Sequence, residues 1–215
     1  PWEDGTNISY VQTGRQALSF IGQVYATEGR DKLIVPDYLC QSMISGFDSR
    51  KWELSTYRVA GDLTIDTDNL LEKVVDPEST VVLSATYFGN EPTNRHVFAI
   101  RELQREGVRV IEDETHRIFG SLERLGDVGI ASLRKLIPIA DGAYIRGNLI
   151  CEPSAQGSSA GWVAMDEKTA GNLTAANAFY AKAHEELASN VQTQFAPSMR
   201  SMELIKTLDY ESMKE

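Results

Sequence analysis

The chain has 215 residues, of which 42% are hydrophobic and 24% charged, the profile of a globular protein. Its net charge of −10 argues against nucleic acid and against an anionic membrane as partners, because both require a basic surface. No apolar run approaches the roughly 20 residues that span a bilayer. The first residues, Pro1–Asp4, resemble neither a signal peptide nor a transit peptide. We therefore predict a cytoplasmic protein.

The first two thirds of the chain alternate helical patterns with short apolar runs. Apolar residues recur at helical spacing or fill short continuous runs, and the two patterns predict helices and buried strands respectively. In chain order, we predict a helix at 16–27, a strand at 33–35, a helix at 39–47, a strand at 53–59, a helix at 68–75, a strand at 80–85, a helix at 95–106 and strands at 108–111 and 144–150.

This alternation predicts an α/β fold, with a mainly parallel sheet that carries helices on both faces. Ligands of such sheets bind beyond the carboxyl ends of the strands. The segments that follow three predicted strands are therefore candidates for a binding site. They are Pro36–Tyr38, Thr86–Gly89 and Glu112–His116.

The composition changes after residue 152. Residues 153–161 are rich in serine, glycine and alanine, which predicts a loop or linker. Helical patterns follow at 166–191 and 199–208. We therefore predict a ligand-binding domain over residues 1–152 and a linker with helices over residues 153–215.

Two segments could bind a charged ligand. Gly14 and Arg15 open the first helix, where free backbone N–H groups can bind an anion, although an ordinary helix cap has the same pattern. Asp113 follows a buried strand, where a carboxylate is poorly solvated and needs a partner. That partner is a ligand or, alternatively, a structural cap or ion pair.

A histidine and a lysine extend the candidate site. His116 follows Asp113 by three residues, and taken alone it is also consistent with a packed or surface histidine. We predict no metal site, because His96 and His184 lie in unrelated segments and the two cysteines show no ligand spacing. Lys135 lies in an apolar stretch, where an amine is more easily neutral and can attack an aldehyde. A lysine whose head group reaches water is the alternative.

The order and spacing of these segments resemble the DegT/DnrJ/EryC1/StrS aminotransferases. These are enzymes that depend on pyridoxal 5'-phosphate (PLP) and have the aspartate-aminotransferase fold, fold type I. The resemblance covers residues 13–145, more than half of the chain. The matching segments are 13–18, 35–36, 87–89, 110–116 and 132–135.

The resemblance implies a role for each matching polar residue. Lys135 would form the Schiff base with PLP and then act as general base and acid. Asp113 would keep the pyridine nitrogen protonated, so that the ring withdraws electrons. Gly14 and Arg15 would wrap the phosphate, and Ser132 would also bind it. In addition, His116 stands near the ring hydroxyl, where many members have glutamine, and Tyr38 or a neighbour would pack on the ring face.

The resemblance also implies a function for the whole protein. The chain would be an aminotransferase that moves an amino group from a small amino-acid donor to a keto acceptor, with keto sugars among the candidates, and it would work as a homodimer. Residues 1–152 would be the PLP-binding large domain. Family members are considerably longer, so most of a C-terminal small domain would be missing after residue 153. The alternatives are a lyase or dehydratase on the same scaffold, and a non-catalytic binding or regulatory module.

Overall fold

A seven-stranded sheet forms the centre of the molecule. The computed structural model describes residues 6–118 and 124–207, so that Pro1–Asp4 and the predicted end of the last helix at Leu208 lie outside the described residues. The strands are β1 (Ile8–Val11), β2 (Lys32–Pro36), β3 (Glu53–Tyr57), β4 (Thr80–Ala85), β5 (Arg109–Asp113), β6 (Val128–Ser132) and β7 (Ala143–Gly147).

The sheet is mainly parallel, as predicted. Its strand order is β1-β7-β6-β5-β4-β2-β3. The five neighbouring strands β6, β5, β4, β2 and β3 run parallel to one another, whereas β7 runs antiparallel to both β6 and β1. The carboxyl ends of β2, β4, β5 and β6 therefore lie along one edge of the sheet, and the segments that follow them meet there.

Helices cover both faces of this sheet. They are α1 (Gly14–Thr27), α2 (Gln41–Ile44), α3 (Thr67–Lys73), α4 (Asn94–Arg105), α5 (Ala160–Thr169), α6 (Leu173–Ser189) and α7 (Met199–Thr207). Thr13 caps α1 by accepting a hydrogen bond from the Gln16 N–H at 3.3 Å. The stripe formed by Ala17, Leu18 and Ile21 is buried and fixes α1 against the sheet.

The alternation of side chains along the strands explains why two apolar layers exist. In β4, Val81 and Leu83 pack with α1 on one face, whereas Val82 packs with α3 and α4 on the other. A third cluster surrounds Trp162 of α5 and Ile205 of α7 on the face opposite α1. These layers pack both faces of the sheet, and they fix the positions of the strand ends on which a site at the carboxyl edge depends.

Several element boundaries differ from the predictions. The predicted helix 39–47 is helical only at Gln41–Ile44, and the strands Ile8–Val11 and Val128–Ser132 were not predicted. The predicted helix 166–191 is two helices, α5 and α6, because Gly171 at φ +84° turns the chain between them. The predicted loop 153–161 contains the short strand β8 (Ala155–Gln156), which pairs with β9 (Phe195–Ala196). Among the described residues, no helix has both the length and the apolar character needed to cross a membrane.

Candidate functional site

Two adjoining cavities lie at the carboxyl edge of the sheet. One has a volume of about 100 Å³ and lies at the start of α1, and the other, of about 300 Å³, lies beside the ends of β2 and β4. Met43, Asp113 and Lys135 line both, so the two cavities form one cleft. All seven predicted site residues line it: Gly14, Arg15 and Ser132 in the smaller cavity, Tyr38 and His116 in the larger, and Asp113 and Lys135 in both.

The smaller cavity has the features of an anion site. It lies at the N-terminus of α1, where the first backbone N–H groups of the helix have no partner within the helix. Arg15 and Arg134 add positive charge to its wall. A Cβ placed on Gly14 would lie 3.7 Å from the Ser132 Cβ, so the end of β6 and the start of α1 are in contact. Three basic side chains, Arg15, Arg134 and Lys135, and one acidic side chain, Asp113, thus line this cavity on a protein of net charge −10.

Asp113 is the last residue of β5 and is half-buried. Its Oδ1 accepts a hydrogen bond from the Thr115 N–H at 2.9 Å, and the Thr115 Oγ1 accepts one from the Ser132 N–H at 3.1 Å. Its second oxygen, Oδ2, has no hydrogen-bond partner among the described residues, and Asp113 lines both cavities. Thr115 therefore couples the predicted acid to the predicted phosphate residue, a link that sequence reasoning missed because it depends on strand pairing.

Two buried ion pairs anchor the end of β5. Glu112 accepts from the Arg117 Nη1 at 2.8 Å, and Glu114 accepts from the Arg146 Nε at 2.7 Å. Both glutamates are at most 2% exposed, and because side chains alternate along a strand, Glu112 points to the face opposite Asp113. The three consecutive carboxylates thus divide into two structural anchors and one group that faces the cleft.

Lys135 lies on a short 3₁₀ helix, Leu133–Lys135, that follows β6. Leu133 and Ile137 are buried, and the Leu133 N–H donates to the Gly142 carbonyl at 3.0 Å, so both ends of this turn are fixed. Lys135 itself is exposed and lines the cleft. The apolar residues around it in sequence therefore anchor the turn, whereas we expected them to enclose the amine.

Aromatic side chains form the outer wall of the larger cavity. Tyr38 is 55% exposed, and its ring centroid lies 5.4 Å from that of Tyr87. The Tyr87 hydroxyl donates to the Tyr38 carbonyl at 2.5 Å. Burial raises the pKa of Tyr87 well above its ordinary value, and the nearby carboxylates of Asp37 and Asp113 raise it further. Tyr87 therefore stays protonated and keeps the wall in place as a donor.

His116 lies on the same wall as Phe88. The Phe88 N–H donates to the His116 Nδ1 at 3.0 Å, and the two ring centroids are 5.6 Å apart. Leu39, Cys40 and Met43 complete this side of the cavity. Sequence reasoning placed these three residues in a predicted helix at 39–47 and gave them no part in the site, because their position beside the ends of β2 and β4 depends on the tertiary structure.

Solved structures share this fold, although no protein-family model and no curated protein sequence matches the chain. The chain is similar to the aminotransferase TlmJ from Streptoalloteichus hindustanus, with 20% identity, a TM-score of 0.54, and coverage of 66% of this chain and 40% of TlmJ. A DegT DnrJ EryC1 StrS aminotransferase from Brucella abortus gives 19% identity, a TM-score of 0.55 and coverage of 66% and 42%. The GDP-4-keto-6-deoxymannose-3-dehydratase ColD shares 20% identity with this chain and gives a TM-score of 0.51. The match covers 65% of this chain and 39% of ColD.

The chain has the fold of these enzymes. The predicted fold class, the large domain of fold type I PLP-dependent enzymes, is thereby confirmed. The resemblance to the DegT/DnrJ/EryC1/StrS aminotransferases is confirmed at the level of the fold. The matched region spans 40% of the length of TlmJ and 42% of the Brucella aminotransferase.

Proposed function

We propose that this protein, which has the fold of a fold type I large domain, binds PLP in the cleft and acts as an aminotransferase. The observation that carries the proposal is that Asp113 and Lys135, separated by 21 residues in sequence, line the same two cavities beside a helix N-terminus. A carboxylate, an amine and an anion site are the three groups that PLP requires of a protein.

The residues present fit each part of the cofactor. The smaller cavity, with the N-terminus of α1, Arg15 and Ser132, suits a phosphate group. The free Oδ2 of Asp113 suits a protonated ring nitrogen, because a carboxylate accepts a charge-assisted hydrogen bond. His116 and Tyr38 would contact the ring from the larger cavity, where they lie with apolar neighbours.

The reaction would depend mainly on Lys135 and Asp113. PLP supplies an aldehyde that condenses with amines and a ring that withdraws electrons from the attached carbon. Lys135 would hold the cofactor covalently, be released when the amino donor takes its place, and then move a proton as general base and acid. Asp113 would hold the ring proton throughout. The donor would be an amino acid and the acceptor a keto compound, with keto sugars among the candidates.

Other functions on the same scaffold remain the alternatives. The similarity to ColD, a dehydratase, favours a PLP-dependent lyase or dehydratase as the second candidate. A binding or regulatory module without turnover is the third. Incubation with an amino donor alone distinguishes the aminotransferase from the lyase or dehydratase. Only an aminotransferase is expected to accumulate the aminated cofactor when the second substrate is absent.

The experiment is to add PLP to the purified protein and record its visible absorption spectrum. We expect a visible band, and after borohydride reduction peptide mass spectrometry should find the cofactor on Lys135. The Lys135→Ala variant should lose both signals. Lys182→Ala is the matched control, because Lys182 is an exposed lysine of α6 outside the cleft, and it should keep both. A protein that stays colourless, or a label on another lysine, would refute the proposal.

A further inference from the structure

The turn that follows β4 has an unusual backbone. Phe88 has φ +54° and Gly89 has φ +80°, both in the left-handed region. A residue with a side chain enters this region at an energetic cost, and surrounding contacts must offset that cost. The Phe88 ring is 70% exposed, so burial of the ring does not provide the compensation.

The compensating contacts are with His116. The Phe88 N–H donates to the His116 Nδ1 at 3.0 Å, and the two rings lie 5.6 Å apart at an angle of 32°. A Cβ on Gly89 would lie 3.3 Å from the His116 carbonyl oxygen, closer than ordinary van der Waals contact. The turn Tyr87–Gly89 therefore touches both the ring and the backbone of His116.

The hydrogen bond determines where the imidazole proton lies. A ring nitrogen that accepts a hydrogen bond carries no proton, and an imidazolium has no accepting nitrogen. With Nδ1 as acceptor, the ring of His116 is neutral and its proton is on Nε2. Nε2 has no protein partner within 6–118 and 124–207, and His116 lines the cavity together with Asp113 and Lys135.

We propose that the turn Tyr87–Gly89 holds His116 as its Nε2–H tautomer and so gives the cleft a neutral, donor-only group. His116 is then a positioning and specificity residue whose function depends on the backbone of another segment. The ligand atom opposite it must be a hydrogen-bond acceptor and not a donor. On the proposed function, which this step extends, that acceptor belongs to the cofactor or to the substrate bound on it.

The tautomer can be measured without any ligand. We would record ¹⁵N spectra of the imidazole nitrogens at about pH 8, where an ordinary histidine with a pKa near 6.5 is neutral. The chain has three histidines, and loss of one set of signals in His116→Gln assigns the spectrum. We expect a pyridine-like Nδ1 and a pyrrole-like Nε2 for His116. A protonated Nδ1 would overturn the proposal.

A matched pair of glycine variants tests the role of the turn. Gly89→Ala forces the Cβ against the His116 carbonyl, and the single-tautomer pattern of His116 should be replaced by a mixture. Gly171→Ala imposes the same backbone strain, since Gly171 has φ +84°, but it meets nothing within 4 Å, and the pattern should not change. An unchanged His116 pattern in folded Gly89→Ala would show that the turn does not set the tautomer.

Phe88→Gly provides the test if Gly89→Ala does not fold. This variant keeps the backbone N–H and removes both the strain and the ring, so the Nε2–H pattern should persist. Loss of that pattern would mean that the phenyl ring fixes His116, against the proposal. Because these spectra are recorded without PLP, a failure of PLP binding refutes the proposed function alone. An Nδ1–H tautomer in a protein that does bind PLP refutes this inference alone.

Discussion

Asp113 differs from its neighbours Glu112 and Glu114 in its partners. Each glutamate is buried and paired with an arginine. Asp113 instead accepts one hydrogen bond, through Oδ1 from the Thr115 N–H, and its other oxygen has no partner among the described residues. Breaking a buried ion pair typically costs about 3–5 kcal/mol. Substitutions at 112 and 114 are therefore expected to change mainly the stability of the fold, whereas Asp113 is the one of the three that the proposed function uses.

We predict that Asp113→Asn preserves the fold and impairs the chemistry. The amide oxygen can still accept from the Thr115 N–H, so the melting temperature should change little. On the proposed function, the ring nitrogen of PLP would lose its proton without this carboxylate, and the half-reaction with an amino donor should slow by about 100-fold or more. Asp37→Asn is the control, because Asp37 also follows a strand and accepts from a backbone N–H, that of Val59. Equal losses of stability and rate in Asp113→Asn would contradict this assignment.

A second prediction concerns the buried His96 of α4. Its Nε2 lies 3.0 Å from the Ser84 Oγ, and burial, followed by the charge of Arg117, lowers its pKa from 6.5 to about 4. Between these values the unfolded chain binds a proton that the folded protein does not, so stability falls as the pH drops through this window. The loss from this residue should reach about 3 kcal/mol.

Urea unfolding at pH 7 and near pH 4.5 measures this effect. His96→Gln removes the titrating group and should reduce the loss of stability on acidification. His184→Gln, which replaces an exposed histidine of α6, should leave the loss as it is in the wild type. The same pH dependence in His96→Gln as in the wild type would count against the explanation.

At the scale of elements, Asp141 attaches the C-terminal helices to the sheet. It is 6% exposed and accepts hydrogen bonds from the side chains of Gln12, Ser198 and Ser201 and from the Ser198 N–H. Ser201 also accepts from the Trp162 indole at 2.9 Å, which extends the network to α5. One carboxylate thus joins the start of the chain, α5 and α7.

We predict that Asp141→Ala releases α7 and lowers the free energy of unfolding by about 2–4 kcal/mol, because it leaves several buried donors without an acceptor. Hydrogen exchange of residues 199–207 should accelerate. The control is Asp166→Ala, which removes the exposed ion pair between Asp166 and Arg200. The side chains of Asp166 and Arg200 are 59% and 51% accessible, respectively. Exposed pairs contribute about 0–1 kcal/mol, so this variant should remain close to the wild type. Similar effects of the two substitutions would disprove the special role of Asp141.

At the scale of the molecule, the cleft is open and has an apolar rim. Tyr38 and Phe88, which line it, are 55% and 70% exposed, and Leu136, the residue after Lys135, is 42% exposed. Exposed apolar side chains that border a polar site are typical of an interface. Together with the resemblance to fold type I aminotransferases, this rim leads us to predict that a second copy of the chain covers it.

Light scattering during size-exclusion chromatography tests the homodimer. We expect twice the chain mass at micromolar concentrations, and slower exchange of the backbone amides of residues 87–89 and 133–136 as the concentration rises. A single-chain mass at all concentrations would remove the prediction. The spectral test of PLP binding is separate from this one, because it does not require the oligomeric state to be known.

How far the sequence predicts the site depends on where each residue lies in its element. Asp113 ends a buried strand, and His116 and the segment with Tyr38 follow buried strands, so local patterns indicated these segments. Gly14 and Arg15 begin a capped helix and were indicated in the same way, whereas the role predicted for Tyr38 came from the family resemblance. The roles of Thr115 and Met43 were missed, because they arise from strand pairing between β5 and β6 and from the packing of α2 against α1. The strand β6 was also missed, since its apolar run continues into the turn that carries Lys135.

The sequence by itself determined the alternation of strands and helices, the carboxyl ends at which polar residues collect, and the acidic character of the surface. These features follow from local hydrophobic spacing and charge, which do not depend on the segments that lie nearby in space. The tertiary structure decided that Asp113 and Lys135 face one cleft, that Lys135 is exposed, and that a strained turn fixes His116. These facts depend on strand order and on contacts between distant segments, and no local pattern records them.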